Sequence, residues 1–274
     1  MQAVNDAYAK GYGSVAIQSG EISTKAFINT VDKIVKEIKK NTHGTMGVTL
    51  SCGEQTKETY RRWFESGADR YLLRIETSSA ELYQKVHPHN EKHSHSQRIN
   101  ALQALRRTGY QVGTGVMIGL PFQTTGQLAD DLLFMKQLDI DMCGMGPYIE
   151  NSHTPLFAQR KQLLPLTERF NLSLKMVAVL RLLMPDINIA ATTALQAIHK
   201  GGREKAISAG ANVLMPNITP KQYRDNYFLY DGKPPSVHSN EDELALLEQR
   251  LREIDHEIGY FQQGNSLHYK TRIQ

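Results

Sequence analysis

One unit recurs along this chain: a helix end, a glycine or aspartate turn, then a short apolar run. It appears as AYAKGYGSVAIQS, WFESGADRYLLRIE, LRRTGYQVGTGVMIG, KQLDIDMCGMG and AISAGANVLMPN. Glycine just past a helix tolerates the left-handed cap. Apolar runs of about five residues behind it read as parallel strands buried on both faces. Adding the runs near Val48 and Ile187 gives seven strands, each separated from the next by helical sequence. Alternating β and α elements call for a parallel sheet. Seven strands within residues 15–215 match the roughly 31 residues per unit of an eight-fold barrel. The predicted fold class is therefore α/β, a TIM (β/α)8-type barrel. The chain opens on what reads as a helix end, so its first strand, loop and most of the first helix are expected to be missing. An open doubly wound sheet, complete with seven strands, is the rival.

The stretch Tyr110 to Gln127, YQVGTGVMIGLPFQTTGQ, shows the unit most fully. Val112, Val116, Met117 and Ile118 are large and apolar, and Gly113, Gly115 and Gly119 let another backbone or a flat ligand come close. Pro121 ends the run, and Thr124 and Thr125 can cap the helix that follows. Residues 24–40 carry Phe27, Ile28, Val31, Ile34, Val35 and Ile38 on one face with lysines opposite, an amphipathic helix. Residues 56–66, 96–107, 125–138, 166–184, 202–209 and 241–258 behave similarly. The tail after Gly259 is polar and is expected to be an extended cover strip. The predicted division is an incomplete barrel over 1–238 and a C-terminal helix and cover strip over 239–274.

A formal charge of +4 spread along the chain implies neither nucleic acid nor an acidic membrane. No apolar run reaches transmembrane length, and the first residues lack the apolar core of a signal peptide. Two distant cysteines, Cys52 and Cys143, make neither a disulfide framework nor a metal knuckle and fit a reducing, cytoplasmic setting.

Polar residues gather where the strands end. Gln18, Gly20 and Glu21 follow the first run, Thr49 and Ser51 end the second, Arg74 and Glu76 the third, Thr192 and Thr193 the sixth, and Asn217 follows the last. Residues two apart on a strand share a face, so Arg74 with Glu76, and Thr49 with Ser51, should point together into the barrel mouth. The C-terminal rim is where such barrels bind ligands. Arg74 and Glu76 can also be a structural ion pair, since either would be costly to bury alone. His87, His89, His93 and His95 read as a solvated loop without a metal. Tyr223, Tyr227 and Tyr230 have the spacing of packing residues, and Cys143 is expected to be buried and inert.

These residues also carry a resemblance. GVMIGLPFQTT followed by DDLLFMKQLDIDMCGMGPYIENSHTPL resembles the HydE group of FeFe-hydrogenase maturases, in the radical S-adenosylmethionine (radical SAM) superfamily. So do QSGE at 18–21, ADRYLLRIET at 68–77, ATTALQA at 191–197, GGRE at 201–204, GANVLMPN at 210–217 and GNSLHY at 264–269. The shorter motifs alone also fit biotin synthase or methylornithine synthase. The resemblance implies a radical SAM barrel in which a 4Fe-4S cluster, held by CxxxCxxC, reductively cleaves S-adenosylmethionine, and the radical attacks a cysteine-bound iron carbonyl-cyanide precursor. It implies that Gln18, Ser19, Gly20 and Glu21 sit against the methionine amino group. Glu76 and Arg98 also bind the cosubstrate, Arg98 through the carboxylate, and Met117, Ile118 and Gly119 pass beside the adenine. Thr49, Ser51, Arg74, Met142, Thr192, Thr193, Tyr227 and Tyr230 would line the substrate cavity. Implied partners are sister hydrogenase maturases and a reductant such as ferredoxin or flavodoxin. Two departures stand out. Phe122 occupies the usual glycine of a PGQT turn, and CxxxCxxC is absent, so no catalytic residue or metal ligand is identified. The alternatives are a catalytically dead remnant or binding module, or a biotin-synthase- or methylornithine-synthase-like radical enzyme.

Overall fold

In the computed structural model, which describes residues 1–90, 92–224 and 240–273, the apolar runs form strands β1 (Ser14–Gln18), β2 (Gly47–Ser51), β3 (Arg70–Leu72), β4 (Gln111–Thr114), β5 (Met117–Ile118), β6 (Met142–Cys143), β7 (Gly146–Pro147) and β8 (Asn188–Ile189). The helices are α1 (Gln2–Ala9), α2 (Lys25–Asn41), α3 (Lys57–Glu65), α4 (Ala80–Val86), α5 (His95–Thr108), α6 (Thr125–Leu138), α7 (Leu166–Leu183), α8 (Thr193–Ile198), α9 (Gly202–Ser208), α10 (Lys221–Arg224), α11 (Asn240–Arg252) and α12 (Leu267–Ile273).

All strand pairs are parallel, and the main sheet runs β1-β2-β3-β4-β6-β8, with β5 pairing β7 beyond the ends of β4 and β6. The seventh predicted run is reduced to one bridge, Ala190 to Val213. Spatial order follows chain order without reversal. A doubly wound sheet reverses its order at a switch point, whereas a barrel winds one way. The sheet is therefore a partial TIM barrel, and the open-sheet rival does not hold.

Local chemistry explains the helices. Thr24, Thr56, Ser79, Ser94 and Thr124 each accept a hydrogen bond from a backbone N–H in the first turn that follows. At Thr124 the bond is reciprocated by Gln127 in a capping box. Val31, Val35 and Ile38 of α2 join Tyr60 and Trp63 of α3, Tyr71 of β3 and Tyr110, just before β4, in one apolar core. Helix α11 is shorter than its pattern predicts. Asp255 takes a left-handed φ of 58°, His256 N–H turns back to the Leu251 carbonyl, and Ile254 and Ile258 pack from outside the helix.

The polar tail differs from expectation in its second half, which is helical (α12). Residues 261–268 run under the N-terminal ends of the strands. Phe261 N–H donates to Gly11 O (2.6 Å), Gln263 Nε2 to Thr45 O (2.8 Å), and Asn188 Nδ2 to Gly264 O (2.7 Å). Asn265 Oδ1 accepts from Arg70 and from Gln111, both at 2.7 Å. His268 Nδ1 lies 3.0 Å from Asp141 Oδ1. The segment is polar because it replaces water at the strand starts and does not enter the core.

Candidate functional site at the strand C-termini

At the opposite end, a cavity of about 290 Å³ is lined by Ser19, Glu21, Ser51, Arg74, Glu76 and Arg98, with His87 and His93 at its edge. Six residues picked from sequence thus meet at one place. Arg74 and Glu76 form a two-pronged pair, Nε to Oε1 at 3.0 Å and Nη2 to Oε2 at 2.9 Å, and Arg74 also donates to Val116 O. Both the shared face and the ion pair read from the i, i+2 spacing are present. Glu76 has a φ of 66°, unusual for a residue with a side chain, and its N–H and C=O are held by Gly115 O and Met117 N. Strain of this kind is kept where it aims a functional group.

Arg98 reaches the site from α5 and is almost wholly buried. Its Nη2 donates to Glu21 Oε1 at 2.6 Å, and its Nη1 to Arg74 O at 3.3 Å. Its Nε lies 2.6 Å from Oε1 of Glu54, an ion pair without hydrogen-bond alignment. Sequence reasoning did not single out Glu54. Extending the rule of polar strand ends three residues past Ser51 would have found it. Burial pushes the Glu54 carboxyl up; the Arg98 charge opposes this and the Glu21 charge adds to it. Gly53 has a φ of 70°, and a Cβ there would lie 2.4 Å from Glu21 Cγ, so only glycine lets the two loops approach.

The histidine segment is less solvated than predicted. His87 stacks on Tyr83 with ring centroids 3.7 Å apart, and its Nδ1 lies 3.0 Å from Tyr83 O. Burial lowers its pKa.

The other predicted residues are spread around this cavity. Gln18 ends β1, exposed, and Gly20 is exposed beside it. Thr49 is in β2, in register with Ala16 and Arg70. Met142 sits deeper, where a Cβ on Gly113 would come within 2.5 Å of it. Met117 packs on Leu82, Leu120 and Tyr148, next to buried Ile118, and Gly119 closes on Arg169. A Cβ on Gly115 would lie 2.0 Å from Gly144 O, so the close approach expected there is to backbone. Thr192 has a buried hydroxyl without a hydrogen-bond partner, and Thr193 opens α8 instead of ending a strand. Tyr227 and Tyr230 lie outside the described residues. Phe122 keeps a left-handed φ of 67°, so the turn retains a glycine-like conformation despite the substitution.

Among the described residues no helix is long and apolar enough to cross a membrane. The family model for the radical SAM superfamily matches residues 1–135. The chain is 48% identical over 223 residues to the [FeFe] hydrogenase maturase subunit HydE of Thermotoga maritima, an alignment covering 81% of this chain and 60% of that protein. It is 29% identical to the 3-methylornithine synthase of Methanosarcina barkeri, covering 67% of this chain and 49% of that one. In structure it is similar to a methylornithine synthase (TM-score 0.74, 21% identity, 95% of this chain and 74% of the other). It is also similar to the FeFe-hydrogenase maturase HydG of Carboxydothermus hydrogenoformans (TM-score 0.70, 17% identity, 90% and 56%). The two structural likenesses show the fold alone. The sequence likenesses fall on a chain with parallel strands wound in one direction and a charged cavity at their C-terminal ends, and residues 1–135 carry a radical SAM superfamily domain.

Proposed function

We propose that this chain is barrel sequence of a HydE-like radical SAM maturase that binds S-adenosylmethionine at the strand C-termini and acts on a cysteine-bound iron carbonyl-cyanide precursor inside the barrel. The observation that carries the reading is the 48% identity to the Thermotoga maritima maturase, against 29% for the methylornithine synthase. The chain spans 60% of the maturase's length.

The site fits the cosubstrate. Glu21, Glu54 and Glu76 face Arg74 and Arg98, which leaves one negative charge in surplus. The ligand carries a sulfonium, an ammonium and a carboxylate, a single net positive charge. Arg98 offers the planar donor face that a carboxylate takes, and Glu21 and Glu76 offer acceptors for the ammonium. Met117, Ile118 and Gly119 are proposed to pass beside the adenine. If bound there, S-adenosylmethionine would be held by Arg98, Glu21 and Glu76 and would supply the radical chemistry of the family. Arg74, held by Glu76, together with Thr49, Ser51, Met142 and Thr192, is proposed to face the iron-bound substrate. Sister maturases and a ferredoxin- or flavodoxin-type reductant are the proposed partners.

The 4Fe-4S cluster does not fit these residues. Such clusters take clustered thiolates, and this sequence has two cysteines. Both are buried, and burial raises both thiols, Cys143 to about 12. This observation also favours a second reading, a binding module that keeps the cavity without radical chemistry.

Binding of S-adenosylmethionine, followed by calorimetry, tests the site. Arg98→Ala should weaken it by about 2–4 kcal/mol, the usual cost of removing one side of a buried charge pair. Arg74→Ala should largely spare it. Equal losses in both variants would sink the division of roles. Reading the coding sequence upstream of Met1 separates the two functional readings, since an in-frame CxxxCxxC favours the maturase.

A further inference from the structure

Arg98 is the group proposed to take the ligand's carboxylate, yet its guanidinium already faces two carboxylates of this chain. The two contacts differ. Glu21 meets Nη2 in a hydrogen bond, whereas Glu54 sits at Nε at the same distance without hydrogen-bond alignment. Charge-assisted bonds gain much of their strength from alignment, so the Glu54 contact is the weaker and the more easily exchanged. Glu54 stands on a well-fixed loop. Tyr71 Oη donates to Gly53 O at 2.8 Å, Gln55 N–H donates to Tyr60 Oη at 3.0 Å, and Gln55 Nε2 donates to Cys52 O and Ile22 O, both at 2.9 Å. The backbone is held by aligned hydrogen bonds, whereas the Glu54 carboxylate is held by the unaligned ion pair to Arg98.

We infer that Glu54 is a displaceable placeholder: it occupies the Nε side of Arg98 when no ligand is bound and gives that position up to the carboxylate of an incoming amino-acid ligand. The inference rests on the proposed role of Arg98. It names the chemistry the site selects, a carboxylate able to compete with an internal one, and makes Glu54 a specificity-determining residue. A ligand lacking the carboxylate gains nothing from displacing Glu54.

The exchange is linked to protons. Four charged or titratable neighbours face Glu54: Arg98 from α5, Glu21 from the β1–α2 loop, Tyr60 from α3 and Tyr83 from α4. His87 and His93 lie at the cavity edge. Burial already favours the neutral form of Glu54. Losing Arg98 to the ligand removes the positive charge that keeps it ionised, so binding takes up a proton and tightens as pH falls. A variant without Glu54's charge is the reference.

The test is calorimetry of the 274-residue chain with S-adenosylmethionine and with its decarboxylated analogue, from about pH 4.5 to 7. For the wild type, affinity for the carboxylate ligand should rise several-fold toward low pH, with proton uptake seen as a heat that changes with the buffer. Glu54→Gln should bind it several-fold more tightly at pH 7, with the pH slope and proton uptake reduced, and the analogue should be indifferent to the substitution. Weaker binding by Glu54→Gln would overturn the inference and make Glu54 a direct ligand contact. A flat wild-type profile without proton uptake would also overturn it, and needs no variant. If Arg98→Ala leaves affinity unchanged, or no form of the chain binds, the proposed function fails and this inference with it. Loss of binding in Arg98→Ala together with an unchanged Glu54→Gln overturns only the inference.

Discussion

The two ends of the barrel both bury arginines and carboxylates, and they use them differently. At the N-terminal end, Asp141 is fully buried and accepts from Val112 N–H (2.9 Å), His268 Nδ1 (3.0 Å) and Arg272 Nη2 (2.6 Å). Arg70, also buried, donates to Asn265 Oδ1 and the Gln263 carbonyl. These charges are met from within the chain by a segment laid across them. At the C-terminal end, carboxylates outnumber guanidiniums around an open cavity, one guanidinium contact lacks alignment, and Glu76 is held in a strained conformation. Buried charge closed over by its own chain serves the fold, whereas buried charge facing a void is what the proposed ligand role draws on.

The largest test of this contrast is Asp141→Ala. It removes the buried partner of His268 and Arg272 and leaves Val112 N–H unpaired, and should lower stability by about 3–5 kcal/mol in denaturant unfolding, the cost of breaking a buried charged network from one side. Ligand affinity of the folded fraction should not change; if it does, the two ends are coupled and the contrast fails.

Asp131 probes the support of the rim. From α6 its Oδ1 accepts from both the N–H and hydroxyl of Ser78, each at 2.6 Å, which pins the turn two residues past Glu76. Burial raises its pKa from 3.8 to about 6. The folded state then holds a proton that the unfolded state has lost. This group costs nothing below about pH 4, costs progressively more as pH rises to about 6, and its full penalty, about 3 kcal/mol, stands above that. Asp131→Asn should flatten that slope in a pH series of thermal unfolding. An unchanged slope would mean the carboxyl titrates normally.

The smallest expected effect is at Phe122, 41% exposed and left-handed, with Lys85 Nζ 5.7 Å from its ring centroid. Phe122→Gly relieves backbone strain and loses a weak cation–π contact, for a net gain of about 1 kcal/mol in unfolding free energy. A loss would show that the ring, and not the backbone, governs this rim loop.

What was legible in the sequence follows from range. Helices and strands were readable because 3.6- and 2-residue periods and threonine or serine caps are local, as at Thr24 and Thr124. The pairing of Arg74 with Glu76 was readable from their spacing. Helix α4, at seven residues, is too short to show a period. Arg98 could be placed at the rim only by resemblance, because it comes from a helix and not from a strand end. Glu54 lay one step beyond the strand-end rule. The polarity of the tail after Gly259 marked it as a cover strip, but not which end it covers or its helical second half, since its partners are polar atoms far away in sequence.

That segment has a kinetic consequence. Neighbouring strands of the main sheet are joined by short helical excursions, but Arg70 and Asn265 are separated by 195 positions, Gln111 and Asn265 by 154, and Asp141 and Arg272 by 131. Contacts that close such long loops carry a larger entropic cost and form late. They are also held by hydrogen bonds more than by apolar packing, so they open before the core does. The amides of Phe261, Ser266 and His268 should therefore exchange with solvent through a local unlatching, faster than those of β2 and β4, while the barrel above them stays folded.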